Sequence, residues 1–520
     1  MDLSHINGNI ILICFFIILS ILFWCLRFFY SNTTAIITTR DNFTFFNLIK
    51  NYKDNNHRIP KNLNQYIFGK NVYPCFLSWI LSFIPMKYNV NIIDKYFNHF
   101  IDYIQFCILF FIAFFFTENP FICLFGSVLF ILSPMFLLYK SRTFFLSSRT
   151  LGNLLISIFM IFSFLFIKYN YISYAFILVF LVALILLSHR FASQVLFFLS
   201  FFIIVTYDLT FVILLIFGIS LALLLSKGFY IQISKGHVGQ LYYFKKSDNK
   251  NDMVKGESEF LKMIKFLINP LKNKEKIKNR IVFGVVYTPT LLFLPYAIYY
   301  VITNNISYMH NFYFFLLWSI FCLLLMFFTS FKMTRFLGQQ DRYLEYSLIA
   351  LPYLSSYVLI YDFSIVTLGL YLLILIISIS INLRYYFSNL RKRNSEKIDS
   401  YDKSKKELIM FINEFSPSRI VTIPMNLGHE IIFLSKHNVL FNAGAMDIST
   451  VKNFIDICPY FPYPDIKQAR RKYGIKYLTI EKRYLEKMKN IPETNNILKS
   501  IAELKKIFDN KNFLVFSIGR

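Results

Sequence analysis

Residues 31–46, SNTTAIITTRDNFTFF, connect the apolar run 9–30 to a long polar loop. The interpretation of the rest of the chain depends on this loop. The loop continues to residue 100, whereas most multi-span proteins keep their first loops short. Asp41 lies shortly after the apolar run, and the short apolar segment YPCFLSW follows at 73–79. An acidic residue close to the membrane, with a half-buried helix behind it, predicts an active site at the bilayer surface.

The composition is that of a membrane protein. Hydrophobic residues make up 56% of the chain, aromatic residues make up 19%, and the mean hydropathy is +0.50. A soluble domain could not hide that much apolar surface, so we predict an α-helical multi-span membrane protein with about 11 transmembrane helices. The first run lacks a preceding basic segment and a cleavage site, so it is predicted to be a retained span. The apolar runs are 9–30, 101–117, 120–139, 151–167, 172–188, 195–226, 281–302, 312–331, 346–361 and 364–382.

The run 195–226 is too long for one span, and Thr206-Tyr207-Asp208 falls near its centre. An ionised aspartate at mid-bilayer costs roughly 2.5–3.5 kcal/mol on insertion scales. This cost favours two short spans with Asp208 at an interface. The alternative is one tilted span in which Asp208 is functional, because acids inside membranes tend to be functional.

Charge and cysteine content narrow the classes of partner. The formal net charge is +26, and the basic residues concentrate in loops beside spans, where they can meet anionic lipid headgroups. No RNP, zinc-finger or helix-turn-helix pattern accompanies them, so we expect membrane lipids and no nucleic acid as partners. The 7 cysteines show no paired spacing and predict neither a metal site nor a disulfide framework.

The chain divides by composition into three parts. We predict a transmembrane domain at 1–382, a basic linker at 383–406 and a small C-terminal α/β domain at 407–520. The transmembrane domain includes the long first loop 31–100 and a basic amphipathic loop at 227–280. The C-terminal domain carries no nucleotide-binding motif. It is predicted to be a support or recognition domain, with the chemistry performed elsewhere in the chain.

Short apolar runs bounded by Pro, Gly and Asn predict the strands of the C-terminal domain. A helix is expected to end at Tyr473, with Gly474 as its cap. The predicted strands are 420–423, 431–434, 477–480 and 513–516.

Two segments are predicted to lie along the membrane without crossing it. Residues 72–86 are short for a spanning helix and are interrupted by Pro74 and Pro85. Residues 260–268 show an amphipathic pattern suited to anionic lipid. If residues 72–86 do not cross the membrane, all the long polar regions lie on the same side of it. If they do cross it, the first loop lies on the opposite side from the other polar regions. The positive-inside rule places the basic loop and the tail in the cytoplasm, so the sequence leaves sidedness open.

Five short motifs are spread along the chain: Tyr73-Pro74, Ser133-Pro134, SRTLGN at 148–153, GQQDRYLEY at 338–346 before Pro352, and KYGIKY at 472–477. These motifs resemble those of the GT-C superfamily of membrane glycosyltransferases, which includes oligosaccharyltransferases, protein mannosyltransferases and lipid A aminoarabinose transferases. The layout is similar along the whole chain: one span, a long extracytoplasmic loop with an acidic residue at Asp41, further spans and a C-terminal domain. In oligosaccharyltransferases an acidic residue follows the second-loop turn. Asn153 and Leu154 stand there instead, which argues against that type of metal site.

The resemblance implies a polyprenyl-phosphate-sugar-dependent glycosyltransferase of the bacterial inner membrane, acting in envelope polysaccharide or glycoconjugate assembly. Its active site and C-terminal domain would be extracytoplasmic. The sugar would pass to a glycan, lipid or protein acceptor by an inverting single displacement. No cofactor is certain, and a need for a divalent metal stays open.

Asp41 is the predicted catalytic base, because displacement at the anomeric carbon needs a base to take the acceptor hydroxyl's proton, and a carboxylate near the bilayer surface can do this. Arg149 and Arg342 are predicted to bind the donor phosphate, since a planar guanidinium holds two phosphate oxygens at once. His57 and Arg58 are further phosphate candidates. The non-functional alternatives are that Asp41 is an ordinary solvated surface residue and that the arginines only extend their charged ends to the membrane–water interface. The secondary candidates are Asp54, His189 and Arg190.

Other function classes stay open. A flippase or transporter of lipid-linked oligosaccharides should show internal repeats and helices broken near mid-membrane, and the sequence shows no repeat. A Wzy-like polysaccharide polymerase is chemically closer, but such proteins usually have their large loop late in the chain. A non-catalytic scaffold is also open, since no single motif is decisive.

Overall fold

The computed structural model describes residues 3–33, 41–63, 65–138, 146–247, 280–331, 333–393, 397–441, 446–458, 463–489, 491 and 494–518. The chain forms two compact units. The first, here the membrane unit, takes in residues 1–35, 95–225 and 257–392. The second, here the loop–tail unit, takes in residues 36–94, 226–256 and 393–520.

The described α-helices of four or more residues, in chain order, begin and end as follows. They are α1 Leu3–Thr33, α2 Asp41–Asp54, α3 Phe76–Ser82, α4 Asp94–Thr117, α5 Pro120–Leu132, α6 Pro134–Leu138, α7 Ser148–Tyr169, α8 Ile172–Ser188, α9 Arg190–Thr206, α10 Thr210–Leu225, α11 Tyr230–Ser247, α12 Arg280–Tyr287, α13 Leu294–Thr303, α14 Asn311–Phe328, α15 Asp341–Leu344, α16 Ala350–Tyr361, α17 Ile365–Arg393, α18 Lys397–Asn413, α19 Leu427–Leu434, α20 Ile448–Ile457, α21 Ile466–Tyr473, α22 Lys482–Lys489 and α23 Asn495–Ala502.

The chain is a multi-pass membrane protein. Within the described residues, 6 helices are long and apolar enough to cross a bilayer, or up to 8 if each of two bent helix pairs counts as one span. In one bent pair, the helices Ile281–Tyr287 and Pro289–Thr303 meet at 85°. Pro289 has no backbone N–H to donate to the preceding helical turn, so the first helix cannot continue through it. The predicted number of about 11 spans therefore stays a prediction.

The long apolar run 195–226 is divided, as predicted, into two short helices. Helix α9 ends at Thr206 and α10 begins at Thr210. The Asp208 carboxylate accepts a hydrogen bond from the Thr210 N–H at 2.8 Å, which turns the chain between them. The alternative of one tilted span is wrong.

The loop–tail unit is built on one six-stranded sheet with the order β1-β3-β2-β4-β6-β5. The first four strands in that order run parallel, and β6 and β5 pair antiparallel. Alternate residues of β2 enter two different cores: Ile420 packs in one, and Val421 and Ile423 pack in the other. The strands are β1 Tyr66–Phe68, β2 Arg419–Ile423, β3 Asn438–Phe441, β4 Tyr477–Glu481, β5 Lys505–Asp509 and β6 Phe513–Ser517.

The sheet confirms three of the predicted strands and corrects one. Residues 431–434 belong to helix α19, because Ile431 and Ile432 are both fully buried on one helical face. A four-residue apolar run cannot distinguish a strand from a buried helical turn. Gly474 does cap α21, with a φ of +62° that favours glycine.

The compact units divide the chain differently from the predicted bounds 1–382, 383–406 and 407–520. The reason is β1, a strand from the first loop that extends the C-terminal sheet by pairing with β3. Most of the predicted linker is helical, in α17 and α18. The predicted amphipathic helix at 260–268 lies outside the described residues.

The segment predicted to lie on the membrane contains the short helix α3, of 7 residues. Trp79 and Ile80 on this helix, and Phe83 after it, are exposed apolar side chains. A helix of this length cannot cross a bilayer. Its contact with lipid stays a prediction.

Candidate functional site

The membrane unit holds Arg149 at the start of α7. The Ser147 hydroxyl caps this helix by accepting the Arg149 N–H at 3.2 Å. The Arg149 guanidinium forms an ion pair with the Glu345 carboxylate, and both residues are buried. A buried pair of this kind fixes the direction of the guanidinium, because removing either partner leaves an uncompensated charge.

Asn153, one turn further along α7, secures the same junction. Its side-chain N–H donates to the Glu345 carbonyl oxygen at 2.8 Å, and its side-chain oxygen accepts from Gln105 at 2.8 Å. All three residues are at most 1% exposed. The position where an oligosaccharyltransferase-like pattern has an acid is thus an amide that bridges α4, α7 and residue 345.

His189 and Arg190 lie beside this junction because α7 and α9 approach closely at Gly152. A Cβ on Gly152 would lie 2.7 Å from the Ala192 Cβ and 3.2 Å from the His189 Cβ. Only a residue without a side chain permits that approach. Arg190 is buried, whereas His189 is partly exposed.

Arg342 lies in α15, and its segment packs on the start of α9 through Phe191. The Arg342 guanidinium carbon is 6.0 Å from the Phe191 ring centroid, and the Tyr343 ring is 4.8 Å from it. Gly338, at a φ of +130°, brings its backbone so near that a Cβ would lie 3.0 Å from the same ring.

The membrane unit therefore brings together four of the predicted site residues. We call this group the arginine cluster: Arg149, His189, Arg190 and Arg342. The arginines outnumber the two buried carboxylates of the same segments, Asp341 and Glu345. An anion is the kind of ligand that this charge balance attracts.

Sequence reasoning missed the polar face of α4 that adjoins the cluster. Thr150 donates to the Asn98 side-chain oxygen at 2.7 Å, and Asp102 forms a fully buried ion pair with Arg27 of α1. The Arg27 guanidinium carbon also lies 4.0 Å from the Phe136 ring centroid. The available signal was the spacing of Asn98, Asp102 and Gln105, because polar residues inside an apolar span mark an interior face.

The remaining predicted residues lie in the first loop, in the loop–tail unit. Asp41 is the first residue of α2, and its side chain lies outside the described part of the structure. Asn42, the next residue, donates to the Asp94 carboxylate at 2.7 Å. Asp94 is thus a second acid close to the start of α2, and sequence reasoning missed it.

His57 has a structural partner in α3. Its Nδ1 lies 2.9 Å from the Ser82 hydroxyl, and its ring stacks on Phe83 with the centroids 4.4 Å apart. Asp54 and Arg58 are exposed. His57 therefore fastens the loop to α3, and its predicted role in phosphate binding, like that of Arg58, stays a prediction.

A buried polar cluster joins α2 to α19 within the loop–tail unit. The Tyr66 hydroxyl lies 2.8 Å from His429 Nδ1, and Asn47 donates to the His429 carbonyl oxygen at 2.9 Å. Lys405 also pairs with Glu430 at 2.8 Å. The C-terminal domain thereby holds the helix that begins at Asp41.

This cluster predicts a pH-dependent stability. Burial lowers the pKa of His429 from 6.5 to about 4. Between those values the unfolded chain binds a proton that the folded chain excludes, so stability is complete above pH 6.5 and falls as the pH approaches 4. The expected loss is about 3 kcal/mol. Thermal unfolding of the full-length protein in detergent should show it.

His429→Asn provides the matched comparison, because asparagine keeps a hydrogen-bonding group near Tyr66 but does not titrate in this range. The variant should be less stable at pH 7 and should show a flatter dependence on pH. An unchanged slope in the variant would contradict the role given to His429.

Among the described residues, no three His, Cys, Asp or Glu side chains are grouped so that they could hold a metal ion. The question of a divalent metal therefore stays as the sequence left it.

No model of a known protein family matches this chain, and no curated protein matches it. Solved structures do match. ArnT from Cupriavidus metallidurans bound to undecaprenyl phosphate aligns with a TM-score of 0.59 at 10% identity, over 96% of this chain and 97% of that one. The apo oligosaccharyltransferase from Archaeoglobus fulgidus aligns with a TM-score of 0.54 at 11% identity, over 90% of this chain and 69% of that one.

The archaeal oligosaccharyltransferase AglB from Archaeoglobus fulgidus, in complex with an inhibitory peptide and a dolichol-phosphate, also matches. Its TM-score is 0.51 at 11% identity, over 88% of this chain and 69% of that one. Likeness at such low identity shows a shared fold. The chain has the GT-C fold, which confirms the predicted multi-span architecture with a small C-terminal α/β domain.

Proposed function

We propose that this protein is an integral membrane glycosyltransferase that transfers a sugar from a polyprenyl-phosphate donor to an envelope glycan, lipid or protein acceptor. The observation that carries the proposal is the arginine cluster, in which α7, α9 and the segment 338–346 bring three arginines into one region of the membrane unit. The GT-C fold supports it, since two proteins of that fold were solved with undecaprenyl phosphate and dolichol-phosphate.

The proposed reaction is an inverting single displacement. The acceptor oxygen forms a bond to the anomeric carbon as the bond from that carbon to the phosphate oxygen breaks. The acceptor's proton passes to the Asp41 carboxylate, and the bonding electrons leave with the phosphate. Arg149 and Arg342 stabilise the charge that grows on that phosphate.

Glu345 contributes by position. Its ion pair with Arg149 and its backbone contact with Asn153 hold the guanidinium in one orientation before the donor arrives. A preorganised cation need not rearrange during the reaction, which is how such groups lower a barrier. The proposed location is the inner membrane, with the site extracytoplasmic.

The test is sugar transfer by the purified full-length protein in nanodiscs. Membranes from the source cells serve as acceptor, and a set of radiolabelled undecaprenyl-phosphate sugars serves as donors. Transfer of label to an acceptor, with inversion at the anomeric carbon, is the expected result. Retention of configuration would contradict the mechanism. Movement of the lipid across proteoliposomes without a new glycosidic bond would favour a flippase, and joining of preassembled repeat units would favour a polymerase.

A further inference from the structure

The loop–tail unit contains an open groove with a volume of about 580 Å³. Ligand sites in proteins usually have volumes of about 300–1,000 Å³. We call it the α2–α19 groove, since Lys50 of α2 and Phe433 and Leu434 of α19 are among the residues that line it. Its described lining residues are Lys50, Gln65, Asn413, Phe433, Leu434, Ser435 and Lys436.

Local contacts set the shape of this groove. Asn413, the last residue of α18, donates to the Leu434 carbonyl oxygen at 3.1 Å. The Ser435 hydroxyl donates to the Ile431 carbonyl oxygen at 2.6 Å, which holds the end of α19. The groove is therefore built from secured elements, and its walls do not depend on a single surface loop.

Phe433 connects the groove to the proposed catalytic helix. Its ring lies 5.5 Å from the Phe43 ring and 5.5 Å from the Phe46 ring, and both belong to the first turns of α2. Lys50 lies further along the same helix. The groove therefore lies against the same helix, α2, whose first residue is Asp41.

The lining has a definite chemical character. Two lysines lie in it, and none of its described lining residues is a carboxylate. The lining also contains the amide side chains of Gln65 and Asn413 and the hydroxyl of Ser435. Lysines attract acidic groups, whereas amide and hydroxyl groups bind neutral hydroxyls. A polar ligand that carries both acids and hydroxyls matches this lining better than an acyl chain does.

We propose that the α2–α19 groove binds an anionic oligosaccharide segment of the acceptor. The identification of this ligand as the acceptor rests on the proposed function. Binding of the oligosaccharide itself does not need the donor. Lys50 and Lys436 bind the acidic groups, Gln65 and Asn413 bind hydroxyls, and Phe433 provides an apolar surface for a sugar ring.

The test measures binding of two fluorescent probes to the full-length protein in nanodiscs of neutral lipid. The probes are tetragalacturonate, which is anionic, and maltotetraose, which is neutral. Tetragalacturonate should bind more tightly, and the double variant Lys50→Gln with Lys436→Gln should weaken it about tenfold. Lys452→Gln, an exposed lysine of α20 outside the groove, is the matched control and should bind like the wild type.

Equal binding of the two probes, or equal binding by the double variant and the control, would overturn the proposal. Vesicles containing phosphatidylglycerol provide another arm. If these vesicles require Lys50 and Lys436 while tetragalacturonate does not, the groove is a lipid-headgroup site and the proposal is wrong. Phe433→Leu retains an apolar side chain and should lower the affinity for tetragalacturonate below that of the Lys452→Gln control.

Failure of the groove and failure of the proposed function are distinguishable. Asp41→Asn should bind tetragalacturonate normally, because the groove does not need the base. Where transfer is measurable, the double lysine variant should raise the KM for an anionic acceptor and leave kcat unchanged. A fall in kcat with no change in KM would contradict acceptor binding in the groove.

Discussion

Asp41→Asn is expected to reduce sugar transfer by at least about a hundredfold, because a general base contributes roughly 10²–10⁴ to the rate. Asparagine has almost the same shape as aspartate but cannot accept the acceptor's proton. The measurement is the transfer assay in nanodiscs, under saturating donor, with kcat and KM determined separately. The loss should fall on kcat.

Two variants make this result specific. Glu414→Gln removes an exposed carboxylate of the same unit and should transfer sugar like the wild type. Asp94→Asn tests the second acid, which accepts a hydrogen bond from Asn42. If Asp41→Asn keeps wild-type activity while Asp94→Asn loses it, Asp94 is the base and the role given to Asp41 is wrong.

Arg149→Ala is expected to have the second large effect, on stability as well as on activity. It leaves the Glu345 carboxylate buried without its guanidinium, and breaking a buried pair in this way costs about 3–5 kcal/mol. The melting temperature of the purified protein in detergent should fall sharply. Transfer should fall too, since the phosphate loses a cation.

A double variant separates these two consequences. Arg149→Met with Glu345→Gln removes both charges, so much of the lost stability should return while activity stays low. Stability that does not return would mean that the pair is not the main cause of the loss. Activity that returns with stability would contradict a role for Arg149 in binding the donor phosphate.

The sequence was sufficient for the local features of the membrane unit. Apolar runs located its helices, and the turn at Asp208 followed from the cost of a buried charge. Glu345 could not be found in the same way, because its partner is 196 residues away. Pairing over such a separation depends on how helices pack, which a single sequence does not specify.

The loop–tail unit was harder to predict for a related reason. Strand β1 has 3 residues and lies in a polar loop, so it has no periodic signal of its own. It exists because β3 offers a free edge, and that edge is formed by residues far along the chain. The helix at Leu427–Leu434 was mistaken in part for a strand, because its apolar residues are too few to show a period of 3.6.

The claim that the arginine cluster receives a lipid phosphate is tested most directly by native mass spectrometry of the full-length protein. The two ligands are undecaprenyl phosphate and undecaprenol, which differ only in the phosphate. The wild type should bind the phosphate about tenfold more tightly, and Arg342→Gln should lose most of that preference. Equal binding of the two lipids by the wild type, or an unchanged preference in Arg342→Gln, would contradict the claim.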